Sequence, residues 1–354
     1  MDYRGRQRRL VGKALALSAL VPGFVPGYAH AQTSSGAKPS GDLQVLRWAV
    51  SLNLQAAAVF VGVEKGIFVA HGLDVKVRQL DGAAQINTAL QAGEADLGFS
   101  ALGGLISARG QGIKVRGVGI LAGDGTVKNT DNFYSIIASS GSRITKPADL
   151  VGKKLAVPGG SAETYARAVL DSIQVPHDKV QWVNVSQNNQ VSALRSGSID
   201  AAVFGEHQGE LALATVPGAR TVIRGGGFIA QRIVVPGMEE WIAKNRNLTE
   251  RALVALAEAM QYTRGHLDEA ADITGRWSAG GVDPAILRKA IRHISFDPRV
   301  TPAIPASWVS ENESLLKFKR IRGPVPYSEG FDAAFMEKIQ REHPKYFADL
   351  KGAR

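Results

Sequence analysis

The chain has 354 residues, no cysteine and a formal charge of +10. The missing cysteines exclude a disulfide framework, a thiolate metal site, a cysteine nucleophile and the lipid-anchored cysteine of bacterial lipoproteins. The basic surplus is thin evidence for a nucleic-acid binder, because setting residues 1–31 aside leaves only +6.

Residues 1–31 carry Arg4, Arg6, Arg8, Arg9 and Lys13, then an apolar run from Ala14 to Val25, then Ala29-His30-Ala31 ahead of Gln32. That is the pattern of an export signal cleaved after Ala31, which places the mature protein in the periplasm. The apolar run is about a dozen residues and is interrupted by Pro22, whereas a membrane-spanning helix needs roughly 20. Gln7 stands where the twin-arginine pattern has Ser or Thr before Arg8-Arg9, so both export routes stay open. Residues 32–42, QTSSGAKPSGD, read as a flexible linker.

From residue 43 the pattern alternates. Strands are predicted at 45–50, 73–79, 96–99 and 114–121, with helices at 55–65, 83–92 and 101–109. Beyond Ile144, strands at 154–157, 179–185 and 200–204 alternate with helices at 162–174, 187–196 and 206–214. From Met238 the chain reads as mostly helical, with boundaries at Gly280-Gly281, Pro284 and Pro298. The basic run KFKRIR at 317–322 reads as a solvated helix face.

An internal repeat organises these elements. ALQAGEADLGFSA at 89–101 aligns with ALRSGSIDAAVFG at 193–205, each a helix ending near a glycine (Gly93, Gly197) and followed by an aspartate (Asp96, Asp200) that leads a strand. Two copies imply two similar α/β lobes. Open parallel sheets bind ligands beyond the carboxyl ends of their strands. This rule selects Ser51, Asn53 and Gln55 after the first strand, and Ser100 and Ala101 after the strand led by Asp96. In the second lobe it selects the turn at 158–163, with Gly160, Ser161 and Ala162, and then Glu206 and His207.

The segment KLAVPGGSAETYARAVL at 154–170 reads as strand, Gly-Gly turn and amphipathic helix, its apolar face formed by Ala162, Tyr165, Ala166, Val169, Leu170 and Ile173. Free N–H groups of its first turn suit a sulfonate, carboxylate, nitrate or phosphate. Glu163 in that same turn already complements the helix dipole and opposes a close anion. Glu206 is suited to accept hydrogen bonds from an ammonium, amide or ring N–H. Enzymatic signatures are missing: there is no H-x-x-x-H, no phosphate loop, and GFSAL at 98–102 lacks the last glycine of a nucleophile elbow. No metal and no cofactor are expected.

Four ordered segments carry a resemblance: EKGIFVAHGLDVKV (64–77), ALQAGEADLGFS (89–100), ITKPADLVGKKLAVPGGSA (144–162) and ALRSGSIDAAVFGE (193–206). They resemble the periplasmic substrate-binding proteins of the nitrate, sulfonate and taurine ABC importers, the group related to the thiamine-pyrimidine synthase fold. The resemblance implies a type II periplasmic binding fold, two doubly wound α/β lobes joined by a two-strand hinge. Lobe 1 is expected at 43–137 and 230–354, lobe 2 at 138–229, and the crossings near 132–140 and 227–235. It implies ligand contacts at Ser51–Gln55, Ser100, Ala101, Gly160, Ser161, Ala162 and Glu206, with His207 where the family often has proline.

The implied function is solute capture for a permease and an ATPase that are separate chains, by a monomer with no enzymatic activity. The ligand class is sulfonate, taurine or nitrate, and a pyrimidine-like or aromatic ligand is the alternative. The fold also hosts a cysteine-dependent sulfinate desulfinase and the cysteine-rich thiamine-pyrimidine synthase, and this chain has no cysteine for either chemistry. A periplasmic solute sensor for a signalling partner is the remaining alternative.

Overall fold

The structure is a computed structural model and describes residues 42–80, 82–123, 133–225, 227–229, 232–278, 281–317 and 319–350. The expected export signal and nearly all of the linker lie outside the described residues. Among the described residues no helix is long and apolar enough to cross a membrane.

The chain enters through β1 (Gln44–Val50), α1 (Ala57–Glu64), α2 (Ile67–Ala70), β2 (Leu73–Gln79), α3 (Gly82–Gln91), β3 (Ser100–Ala101), α4 (Leu102–Gly110) and β4 (Val115–Gly123). A second group follows: β5 (Ser135–Ala138), β6 (Lys154–Val157), α5 (Gly160–Ser172), β7 (Gln181–Asn184), α6 (Gln187–Ser196), β8 (Ala201–Phe204), α7 (Gln208–Thr215) and β9 (Arg220–Arg224). The return strand β10 (Arg232–Met238) leads into α8 (Glu239–Lys244), α9 (Arg246–Gly265), α10 (Leu267–Trp277), α11 (Pro284–Ala290), α12 (Ala303–Lys317), α13 (Tyr327–Gly330) and α14 (Ala334–Glu342).

Two lobes result, both within one compact unit, Gly36–Arg354. In the first, β1 pairs in parallel with β2, and β10 lies antiparallel between β3 and β4. In the second, the order is β7-β6-β8-β5-β9, with β6 parallel to β7 and β8, and β5 antiparallel to β8 and β9. Strand periodicity explains the second lobe's layers. Alternate residues Ile136, Leu155, Val157, Ala201 and Val203 feed one apolar cluster with α5, while Ile137, Ala156, Ala202 and Phe204 feed another with α6 and α7. The first lobe has its own core, which takes in α1, α9 and much of the C-terminal helical region.

The repeat has a shared structural job. Gly93 (φ +66°) and Gly197 (φ +74°) adopt the left-handed conformation that closes α3 and α6. The Asp96 carboxylate then accepts the backbone N–H of Arg47, at the edge of β1, at 2.8 Å, and Asp200 accepts that of Lys154 in β6 at 2.8 Å. Each aspartate ties its own segment to a strand of its lobe, β1 for Asp96 and β6 for Asp200.

Three expectations shift. The strand expected at 96–99 is reduced to a bridge between Leu97 and Trp48, and the paired residues are Ser100 and Ala101. Gly98 explains this, since its N–H donates to Pro236 and its carbonyl accepts the Trp48 indole N–H at 3.0 Å. Residues 135–137 pair in the second lobe's sheet rather than belonging to the first lobe. The basic run is not a helix face: α12 ends at Lys317, residues 319–322 form turn and bends, and Ile321 is buried. Of the expected crossings, residue 132 of the first and residues 230–231 of the second lie outside the described residues.

Candidate functional site

A cavity of about 640 Å³ opens between the lobes. The first lobe contributes Ser51, Leu52, Asn53 and Gln55 after β1, Gln79, Leu80, Gly82 and Ala83 around the start of α3, Phe99, Ser100 and Ala101 at β3, and Ile233 of β10. The second contributes Phe133 and Tyr134 before β5, Gln187 and Asn188 opening α6, and Glu206, His207 and Gln208 after β8. Seven of the ten residues selected from sequence therefore line one cavity: Ser51, Asn53, Gln55, Ser100, Ala101, Glu206 and His207.

Gly160, Ser161 and Ala162 are not among the lining residues. α12 of the first lobe covers this end of α5. The Thr164 hydroxyl meets that of Ser314 at 3.2 Å, and the Ser161 hydroxyl donates to the Glu311 carboxyl. Ala162 is packed into the second lobe's core. Glu163 is engaged by Arg167 one turn on, at 2.9 and 2.7 Å, so its charge is matched locally.

Residues that the sequence argument passed over follow the same strand-end rule. β2 delivers Gln79 and Leu80, and β7 delivers Gln187 and Asn188, each just beyond a parallel strand. Phe133 and Tyr134 sit in the expected crossing segment, their rings edge-on at 4.9 Å, with Tyr134 stacked on Tyr165 at 5.7 Å. They form an aromatic wall.

The electrostatics are set by Glu206, whose side chain is fully buried. Arg224 of β9 donates to its Oε1, and also to Oε1 of Glu210 on α7 at 2.8 Å. Glu206 Oε2 has no partner among the described residues, and neither does the amide Nε2 of Gln55. Burial pushes the Glu206 carboxyl up, and the guanidinium of Arg224 opposes that rise. Burial holds the His207 imidazole below its usual range, so it adds no positive charge at neutral pH. Among the described lining residues there is neither lysine nor arginine.

His293, beyond α11, reaches Glu210 at 3.3 Å, and Glu206, Glu210 and His293 offer ligand atoms within 4.8 Å of one another. The Arg224 guanidinium is bonded to both carboxylates and offsets part of their charge. The cluster is an ion-pair network. It also joins the lobes, with His293 bonding holding the Glu210 carboxyl below the usual range.

A binding protein of Brucella abortus (strain 2308) is 27% identical to this chain over 222 residues, 61% of this chain and 66% of the relative. The match thus spans a little under two thirds of the length of the curated relatives. The periplasmic aliphatic sulphonate binding protein of Escherichia coli superposes with a TM-score of 0.69 at 17% identity, over 81% of this chain and 96% of that one. The desulfurization enzyme DSZB superposes with a TM-score of 0.63 at 18% identity, over 85% of this chain and 99% of that one. These likenesses bear out the two-lobed periplasmic binding fold. The family described as NMT1/THI5 like matches residues 53–270, well over half of the chain, in agreement with the resemblance carried by the four sequence segments. The chain belongs to the NMT1/THI5-like family.

Proposed function

We propose that this protein is the solute-capturing component of an ABC importer, acting in the periplasm as a monomer and delivering its cargo to a permease and ATPase formed by separate chains. The observation that carries the reading is the inter-lobe cavity lined by Glu206, whose Oε2 has no partner among the described residues. A buried acceptor left unpaired is costly, and a bound donor removes the cost. Gln55 Nε2 supplies the converse, a buried donor awaiting an acceptor.

The solute we infer presents an N–H donor and an acceptor together and has a flat or apolar part for the Phe133–Tyr134 wall. Contacts from both lobes hold the closed form, and the closed form is what the permease receives. A sulfonate, taurine or nitrate ligand is the second reading, favoured by the fold shared with the Escherichia coli sulphonate binding protein. The fold does not separate binding from catalysis, since a desulfurization enzyme shares it. The chain lacks any cysteine for thiol chemistry, which supports binding without catalysis.

A thermal-shift panel of sulfonates, nitrate, taurine, pyrimidines and aromatic acids tests the reading, because a ligand selective for the folded state raises the unfolding midpoint. An N–H-bearing solute is expected to raise it in the wild type and not in Glu206→Gln. A panel in which nitrate and simple sulfonates alone act, unaffected by Glu206→Gln, would establish the second reading instead.

A further inference from the structure

Glu311 lies within α12, the first-lobe helix that covers the start of α5. Its carboxyl is nine-tenths buried and accepts the Ser161 hydroxyl. On its other side Oε2 lies against Gly103, where an added Cβ would stand 2.7 Å away. Ser161 is the second residue of α5 and Gly103 the second of α4. The carboxyl therefore sits where the first turns of two helices, one from each lobe, converge.

Neither helix has a side-chain cap. The residue before α4 is Ala101 and the residue before α5 is Gly159, and neither offers a side-chain hydrogen bond to the turn that follows. The free N–H groups and dipoles of both helices favour an anion at this point. Charged groups nearby are engaged elsewhere: Glu163 with Arg167 on α5, and Arg109 of α4 with Glu239. Burying an acid with no cation bonded to it among the described residues is costly, and the Ser161 hydroxyl offsets only part of that cost. Ser100 and Ala101, which lead into α4, line the cavity, so the place Glu311 fills lies next to the cavity wall.

We propose that Glu311 is a specificity-determining residue: by filling the converging N-termini of α4 and α5 with the protein's own carboxyl, it denies that place to sulfate-like anions and leaves the cavity to solutes held by Glu206. The inference rests on the solute-capture reading for its biological meaning. The sulfonate expectation for the Gly-Gly-Ser turn then has a physical answer, since an internal carboxyl already lies against the turn.

Calorimetry of the full chain with sodium sulfate at pH 8 tests this, comparing wild type with Glu311→Ala and Glu311→Gln. Glu311→Ala is expected to gain about tenfold in sulfate affinity, the worth of removing one like charge and freeing two helix termini. Glu311→Gln, which keeps the bulk and loses the charge, gains less. Unchanged sulfate affinity in both variants overturns the proposal. If Glu311→Ala does not fold, Glu311→Gln decides alone, and an affinity equal to wild type overturns it. A sulfate gain in a protein that responds to no solute in the thermal-shift panel would refute solute capture while supporting the role of Glu311.

Discussion

The guanidinium of Arg224 is bonded to one carboxylate oxygen of Glu206, and the other oxygen of Glu206 is left without a partner among the described residues. Half of the carboxylate is fixed by the protein, and the other half is the acceptor we propose for the solute. This division makes Glu206 the natural first substitution.

Glu206→Gln keeps the shape and removes the charged acceptor. Solute affinity is expected to fall by about tenfold or more, since charge-assisted hydrogen bonds contribute roughly 1.5–3 kcal/mol. The unfolding midpoint is expected to stay level or rise, because burial disfavours the ionised carboxylate. Calorimetry and a thermal melt read the two effects separately, and a loss of binding with a collapse of the melt would assign Glu206 a purely structural role.

Arg224→Met tests the opposite partner. It leaves the buried Glu206 and the half-buried Glu210 without their shared cation. Breaking such a pair from one side costs about 3 kcal/mol, measurable by urea denaturation. The double variant Glu206→Gln with Arg224→Met is expected to recover part of that loss.

Glu311 gives a pH dependence of definite sign. Burial pushes its carboxyl up to about 7. The folded state therefore holds a proton that the unfolded chain has released between its ordinary carboxyl range and about 7. Stability lost to this group grows as pH rises through that window and is constant above it, up to about 3 kcal/mol. Glu311→Gln is expected to be more stable than wild type at pH 8 and equal to it at pH 4. Denaturation curves at the two pH values check this, and an equal difference at both would refute it.

The repeat aspartates offer a matched pair. Asp200→Ala removes an acceptor from the Lys154 N–H and is expected to cost about 2 kcal/mol. Asp96→Ala is expected to cost more, because Asp96 also accepts the Arg47 side-chain Nε at 3.0 Å. Chemical denaturation of both variants measures the order, and a reversed order would mean that the Arg47 side chain contributes nothing.

Most of the secondary structure was legible because its causes are local. Apolar spacing placed α5 and α6, and Gly93 and Gly197 marked helix ends that proved left-handed. Of the residues the rule of strand ends selected, Ser51, Asn53, Gln55, Ser100, Ala101, Glu206 and His207 line one cavity. The rule missed Gln79, Leu80, Gln187 and Asn188 only because it was not extended to β2 and β7. It included Gly160 to Ala162, which a more distant helix covers.

The sequence by itself determined the alternation of strands and helices, the paired lobes, the absence of thiol chemistry and the residues at the strand ends. All of these follow from residue types and spacings within a few turns of chain. The tertiary structure alone decided that Arg224 stands behind Glu206 and that α12 arrives over the start of α5, as the contact of Thr164 with Ser314 shows across 150 positions. Contacts at that separation leave no periodic trace, since they depend on how two lobes pack rather than on how one segment folds. For the same reason the Gly-Gly-Ser turn, built locally like an anion site, was assigned its occupant by a carboxyl from the other lobe.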